Sequence, residues 1–178
     1  RQLLVAFLLT VAVAAAADYA RFTGKILWLD NGAVRRGIVV SDRGRVSTLT
    51  FRLPDYGNNF VAIEGDEPAD AATAKPGEGL PRVIHSANPA EFSFVANGIP
   101  YSGKDSWEVL GVTPLHEGAG SGATLALRST KGPARLRVDL VYLLYPDLPL
   151  VRKRLHIVNE GTEPIRLESV DVEALTTG

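Results

Sequence analysis

The stretch that decides the fold of this chain is residues 136–144, which read LRVDLVYLL. Apolar side chains occupy the even positions, whereas Arg137 and Asp139 stand at the first odd positions. An alternation with period two predicts a β-strand that has one buried and one solvated face. Val141 and Leu143 then make both faces apolar, which indicates that another layer covers part of a large sheet.

The same alternation recurs on both sides of this stretch, between turns rich in Gly and Asn. Asp30-Asn31-Gly32 predicts a hairpin, because Asn-Gly readily takes the positive φ angles of a type I′ turn. A change in the parity of the apolar positions at Glu168-Ser169 predicts a β-bulge. We therefore expect residues 21–175 to be all-β with no helix, and most simply to form an antiparallel β-sandwich. The predicted strands are residues 21–29, 33–41, 45–53, 91–96, 107–113, 123–128, 134–144, 150–159 and 165–175.

Residues 1–17 have the features of a secretory signal peptide. A basic start is followed by an apolar run over residues 3–13 and then by four alanines, and this run is short for a membrane span. A buried first helix or an uncleaved membrane anchor is the alternative. We expect residues 18–178 to form one exported domain, secreted or periplasmic, with no membrane contact after cleavage. Because the chain contains no Met, we also expect translation to start upstream.

The composition excludes several classes of function. The chain has no Cys, so neither disulfides nor thiolate metal sites are available. Its 19 basic and 20 acidic residues give a net charge of −1, which argues against a nucleic-acid partner. The one basic cluster, Arg152-Lys153-Arg154, lies in an alternating strand, and we interpret it as a solvated face.

Residues 54–81 lack sustained alternation, and a structureless loop of that length is usually functional or mobile. Its first residues combine an aromatic ring with carboxylate and amide groups that could stack on and hydrogen-bond a sugar. The predicted carbohydrate-binding residues are Asp55, Tyr56, Asn58 and Asn59. The other aromatic side chains that could stack on a sugar are Trp28, which we place in the core, Tyr101 and Trp107.

No catalytic residue, cofactor site or metal site emerges from the residue spacing. Asp171 and Glu173 would lie roughly 6.5–7 Å apart on a strand, within the range of glycosidase carboxyl pairs. Their apolar neighbours alternate with them, however, so we interpret both carboxylates as the outward face of a strand. The three histidines lack metal-binding spacing, and the Gly-rich residues 118–122 precede a strand, which favours a hairpin loop over a phosphate loop.

Three segments together resemble a known family. They are VYLLYPDLPLVRK (141–153) with LHIVNEGTEPI (155–165), LDNGAVRR (29–36), and PAEF (89–92) with VANG (95–98). Their order resembles the N-terminal β-supersandwich domain of exported α-galactosidase-like glycoside hydrolases, which is similar in fold to galactose mutarotase. The resemblance implies a supersandwich fold and a carbohydrate as the partner of the whole protein.

The resemblance also implies that the catalytic machinery lies elsewhere. In that family the nucleophile and the acid/base carboxylate belong to a following (β/α)8 barrel, and no segment here alternates between strand and helix. We therefore expect a non-catalytic domain that packs on the barrel and lends a loop to sugar binding. A stand-alone carbohydrate-binding or surface-adhesion module is the alternative, and the sequence leaves the sugar and the oligomeric state open.

Overall fold

The computed structural model describes residues 18–54, 58–59 and 89–173, and this part of the chain is all-β with no helix. The prediction of an antiparallel β-sandwich is confirmed. No helix within these residues is long and apolar enough to cross a membrane. The predicted signal peptide, residues 1–17, lies outside the described residues. The strands are β1 Ala20–Thr23, β2 Ile26–Asp30, β3 Arg35–Val40, β4 Val46–Leu53, β5 Asn58–Asn59, β6 Ser93–Ala96, β7 Ile99–Ser102, β8 Trp107–Glu117, β9 Gly120–Ser129, β10 Leu136–Leu144, β11 Val151–Asn159 and β12 Leu167–Asp171.

These strands form three antiparallel sheets, with the orders β1-β2-β3-β4-β5, β11-β10-β9-β8 and β12-β6-β7. A bridge between Ser47 and Ala90 connects β4 to the segment that leads into β6. The carbonyl of Gly103, just after β7, also accepts a hydrogen bond from the Val46 amide at 2.6 Å. One apolar core collects side chains from all three sheets, so the sheets form a single packed unit.

The strand β10 is the centre of this core, as its pattern predicts. All of its even-numbered side chains belong to the core cluster and are fully buried. Val141 and Leu143 on the opposite face are buried as well, which confirms that a further layer covers this end of the strand. Full burial of an aliphatic side chain contributes about 1.5–3 kcal/mol, so this one strand carries a large share of the hydrophobic stabilisation.

Two tight turns divide the chain where the predicted strands did not. Residues 21–29 were predicted as one strand, but Gly24 and Lys25 have φ angles of 55° and 73° and form a two-residue hairpin loop between β1 and β2. Two successive positive φ angles define a type I′ turn. Asn97 and Gly98, with φ angles of 50° and 73°, make the same turn between β6 and the unpredicted strand β7.

The hairpin predicted at Asp30-Asn31-Gly32 is present, but the predicted type I′ turn is wrong. Of these three residues Gly32 alone has a positive φ, at 86°. Asn31 instead caps a longer loop, because its side-chain oxygen accepts hydrogen bonds from the amides of Ala33 and Val34 at 3.1 and 2.9 Å. The predicted bulge in β12 is confirmed by a register shift between Leu167 and Ser169 against β6.

Candidate functional site

The predicted sugar-binding loop is only partly within the described residues. Asp55 and Tyr56 lie outside them. Asn58 and Asn59 form β5 and pair with Leu53 and Arg52 of β4, so this part of the predicted structureless loop belongs to a sheet. The role of these four residues in carbohydrate binding stays a prediction.

The other aromatic candidates are not available to a sugar. Trp28, Tyr101 and Trp107 are all buried, as expected for Trp28. Phe94 stacks on Tyr101 with ring centroids 5.0 Å apart, and the Trp107 indole donates a hydrogen bond to the carbonyl of Ser102 at 2.9 Å. These rings therefore build the core under the third sheet and do not form a stacking platform.

Asp171 and Glu173 do not share a face, which corrects one prediction. Asp171 is exposed and accepts a hydrogen bond from the Ser93 hydroxyl at 2.7 Å, as an outward strand residue should. Glu173 lies beyond the end of β12, so strand alternation does not determine its direction. Its side chain is 31 % exposed and pairs with the buried guanidinium of Arg36.

The basic run Arg152-Lys153-Arg154 is also not uniformly solvated. Lys153 lies opposite Tyr142 in the β10–β11 ladder and therefore faces the core. Its side chain is only 6 % exposed, whereas Arg152 and Arg154 on the other face pair with Glu117. The prediction of a solvated face is wrong for the middle residue, because alternation places it on the opposite side from its neighbours.

The strongest candidate site is a buried cluster of charged and polar side chains, which we call the Arg36–Glu91 cluster. It draws side chains from all three sheets. Strand β3 provides a guanidinium and β4 a hydroxyl, whereas β10 provides a phenol and β11 an ammonium group. The two carboxylates come from the segment before β6 and from the segment after β12. Its members are Arg36, Thr48, Glu91, Tyr142, Lys153 and Glu173.

The carboxylate of Glu91, which is fully buried, is the centre of the cluster. Arg36 donates from Nη2 to both carboxylate oxygens, at 3.0 and 2.9 Å. Tyr142 donates from its hydroxyl to Oε2 at 2.6 Å, Lys153 donates to the same oxygen at 2.8 Å, and Thr48 donates to Oε1. A buried carboxylate is stable only when its oxygens are satisfied in this way.

The guanidinium of Arg36 bridges the inner and the outer carboxylate. Its Nη1 and Nη2 donate to the two oxygens of Glu173 at 2.9 and 2.8 Å, in a two-pronged geometry typical of strong Arg–carboxylate pairs. The guanidinium carbon also lies 5.2 Å from the ring centroid of Phe51 and 5.7 Å from that of Tyr142, within cation–π range. Arg36 is therefore held by contacts on several sides.

The charges of the cluster shift the pKa values of Glu91 and Tyr142 in opposite directions. Burial acts to raise the pKa of Glu91, but the attraction of Arg36 and Lys153 and the hydrogen bonds from Lys153 and Thr48 outweigh burial and lower it to about 2. Burial and the neighbouring Glu91 charge raise the pKa of Tyr142 well above its ordinary value. At neutral pH Glu91 therefore has no proton to donate and is a weak base, so this carboxylate is unsuited to general acid–base catalysis.

The remaining candidates do not form a reactive centre within the described residues. No group of three His, Asp or Glu side chains there could hold a metal ion. His156 is exposed. Gly120 and Gly122 belong to strand β9, which confirms the hairpin interpretation of the Gly-rich stretch. A Cβ atom at Gly122 would overlap the carbonyl of Tyr142, so this glycine serves close strand packing.

A groove of about 470 Å³ with both polar and apolar lining residues lies at the outward face of the β12-β6-β7 sheet. It is lined by Ser93, Ser102, Asp105, Lys131 and Asp171 among others. Lys131 donates to the carbonyl of Pro100 at 2.6 Å and pairs with Asp105 at 3.3 Å. Hydroxyl, carboxylate and ammonium groups at such a groove can exchange hydrogen bonds with a polar ligand.

Comparison with known proteins finds no match among protein-family models, curated protein sequences or solved structures. What the chain does must therefore be inferred from the sequence pattern and from the geometry of the described residues. That geometry comprises the buried Arg36–Glu91 cluster, a groove on the outward face of the β12-β6-β7 sheet, and exposed apolar side chains on β12.

Proposed function

We propose that this chain is a non-catalytic β-sandwich domain of an exported α-galactosidase-like glycoside hydrolase, with a galactose-mutarotase-like arrangement of strands. Its role is to pack on the catalytic (β/α)8 domain that carries the reacting carboxylates. The sequence resemblance supports the family. The apolar surface of β12 supports a packing role, and the state of Glu91 supports the absence of catalysis.

The observation that carries the proposal is the uncovered core-side face of β12. Val170 lies opposite Phe94 and Leu167 opposite Ala96 in the β12–β6 ladder, so all four side chains point to the same side of the sheet. Phe94 and Ala96 are buried in the core, but Leu167 and Val170 are each 44 % exposed. The surface that buries β6 therefore continues onto β12, and no layer formed by the described residues covers it there.

An exposed apolar surface that continues a packed interface favours a protein partner. Val172, which follows β12, adds a further exposed apolar side chain to the same edge. Full burial of an aliphatic side chain contributes about 1.5–3 kcal/mol, so covering the exposed 44 % of Leu167 and of Val170 would contribute about 0.7–1.3 kcal/mol each.

The charge state of Glu91 supports a non-catalytic role. Glu91 is the fully buried carboxylate of the described residues. It is ionised, it pairs with Arg36 and Lys153, and both of its oxygens accept hydrogen bonds. A glycosidase needs one carboxyl group with a raised pKa as the acid and a second as base or nucleophile. The pKa of Glu91 is shifted in the opposite direction.

The test compares Val170→Ser with the control Val109→Ser in the protein extended downstream of Gly178. Val109 is similarly exposed but lies on β8, at the far edge of another sheet. Because both valines are more than half buried, we expect the two substitutions to lower the melting temperature of the 178-residue chain by similar amounts. In the extended protein Val170→Ser should cause an additional loss that Val109→Ser does not. Equal effects of both variants in the extended protein, or a downstream sequence without alternating strands and helices, would contradict the proposal.

A stand-alone carbohydrate-binding or adhesion module is the second candidate, and the groove on the β12-β6-β7 sheet favours it. Titration of the 178-residue chain with galactose and α-galactosides, followed by calorimetry, separates the two. Saturable binding that Lys131→Ala abolishes, together with no additional effect of Val170→Ser in any longer protein, would support the module.

A further inference from the structure

We propose that Arg36 and Lys153 form a carboxylate-binding socket, that Glu173 is its tethered occupant, and that a free small carboxylate takes its place when this side chain is absent. The socket thereby acts as a latch that fastens the chain to the sandwich just after β12. This inference does not depend on the proposed function, because it concerns the two cations and their ligand alone.

The socket is built without help from Glu173. The side chains of Arg36 and Lys153 are 2 % and 6 % exposed, and both are anchored to Glu91 at the bottom of the site. Thr48 accepts a hydrogen bond from Arg36 Nη2 at 3.2 Å, and the ring of Tyr142 lies against both cations, 5.7 Å from the guanidinium carbon and 5.6 Å from the ammonium. These contacts keep the cations in place whether or not Glu173 is bound.

The charge count shows why an anion belongs there. Arg36 and Lys153 carry two positive charges and Glu91 one negative charge, so the site without Glu173 has a net charge of +1. A buried, uncompensated charge is costly, because the low-dielectric interior replaces its hydration poorly. An anion with two oxygens in one plane satisfies the free side of the guanidinium fork, and a carboxylate has that shape.

The two carboxylates of the cluster differ in how firmly they are held. Glu91 is fully buried and receives hydroxyl hydrogen bonds from Thr48 and Tyr142 in addition to the two cations. Glu173 is 31 % exposed and follows the last paired residue of β12. It accepts hydrogen bonds from Arg36 and, at 3.4 Å, from Lys153. Glu173 is therefore the member that solvent can reach and that a competing carboxylate can replace.

The tether explains why Glu173 normally occupies the socket. A ligand on the same chain has a high effective concentration, on the order of millimolar for a short flexible connection. A free carboxylate at lower concentration cannot compete, but removal of the Glu173 side chain leaves a carboxylate-shaped gap beside the guanidinium. The structure thus predicts chemical rescue, with formate as the smallest probe.

The experiment measures the melting temperature of the 178-residue chain carrying Glu173→Ala, in sodium formate and in sodium chloride at equal ionic strength. We expect the variant to melt below the wild type and formate to restore a large part of the loss along a saturable curve, with little effect of chloride. Glu173→Gln, whose amide fills the gap, should melt low and should not respond to formate. Asp171→Ala, which removes an exposed carboxylate outside the cluster, is the matched control and should show no formate-specific response.

A second readout follows the latch itself. Amide hydrogen exchange over residues 171–173 should speed up in Glu173→Ala and slow down again in formate. Formate that stabilises Glu173→Ala no more than chloride does, or that stabilises Asp171→Ala and Glu173→Ala equally, would overturn the proposal. Unchanged stability and unchanged exchange in Glu173→Ala would overturn it as well, because the socket would then not depend on its occupant.

Discussion

Replacement of Glu91 by glutamine is the sharpest test of how this sandwich is held together. The substitution keeps the shape of the side chain but removes its negative charge, and it leaves Arg36 and Lys153 with Glu173 as their remaining carboxylate partner. The amide also has one donor group where Glu91 had an acceptor. The amide nitrogen takes the place either of Oε1, which accepts from Arg36, or of Oε2, which accepts from Tyr142 and Lys153, so at least one hydrogen bond is lost in either orientation.

Two estimates of the cost agree. Removing one partner of a buried ion pair costs about 3–5 kcal/mol, because the other partner stays buried without compensation. The pKa of Glu91 falls from an ordinary 4.5 to about 2 on folding, a shift that corresponds to about 3 kcal/mol of stabilisation at neutral pH. For a protein of this size each kcal/mol lowers the melting temperature by about 2–4 °C, so the loss is about 6–20 °C.

The pH dependence gives the sign of the effect. Because the pKa of Glu91 is lowered in the folded state, its contribution is fully present above a pH of about 4.5 and disappears as the pH falls towards 2. Glu91→Gln lacks this component, so the two proteins should differ most near neutral pH and converge in acid. Urea unfolding of both proteins at several pH values measures the difference in their free energies of unfolding and its change with pH.

Glu117→Gln is the matched control for this experiment, since Glu117 pairs with Arg152 and Arg154 at the solvent-exposed face. It should leave the melting temperature almost unchanged, because water screens exposed ion pairs. If Glu91→Gln were as stable as the control at pH 7, or if its difference from wild type did not shrink in acid, the argument from buried charge would be refuted.

Three further predictions follow from the same packing. Tyr142→Phe should cost about 1.5–3 kcal/mol in urea unfolding without a change in slope, because it deletes a hydrogen bond to a buried charge. Gly122→Ala should prevent close pairing of β9 with β10 and cost at least about 3 kcal/mol. Gly118→Ala, where the new methyl group meets open space but φ is 60°, should cost about 1–2 kcal/mol. Calorimetry of the two variants compares their losses of stability. The purified 178-residue chain should not hydrolyse aryl α-galactosides, and turnover that Asp171→Asn abolishes would contradict this.

Strand positions were largely predictable from sequence because period-two alternation reports directly on which face is buried. The failures have local causes. Strand β7 contains Pro100, which weakens a strand signal, although the Asn97-Gly98 dipeptide before it is a strong type I′ signal for its hairpin. The turn at Gly24-Lys25 interrupts an apolar run that reads as continuous, so one predicted strand became two.

Only part of the Arg36–Glu91 cluster could be predicted from the sequence. Arg36 occupies a core-facing position between Val34 and Ile38, so its burial could have been inferred from the same alternation that identified the strand. For Glu91, alternation with Phe92 and Phe94 indicates the opposite, outward face, so its burial before the start of β6 could not have been inferred in this way. Which carboxylate meets which cation depends on contacts between positions as distant as 36 and 173, and a single sequence does not encode these in any local period.

The position of the cluster within the sandwich connects it to the uncovered edge. Core-facing side chains are fully buried on β10, and Leu155 and Ile157 are half-buried on β11, whereas the apolar side chains of β12 are exposed. The core thus thins towards the side where Lys153 and Glu173 lie. Glu173 directly follows the exposed β12, so a domain that covers this strand would also reduce the access of water to the Glu173–Arg36 pair. Less water strengthens that pair, and by thermodynamic reciprocity a closed latch would then strengthen docking.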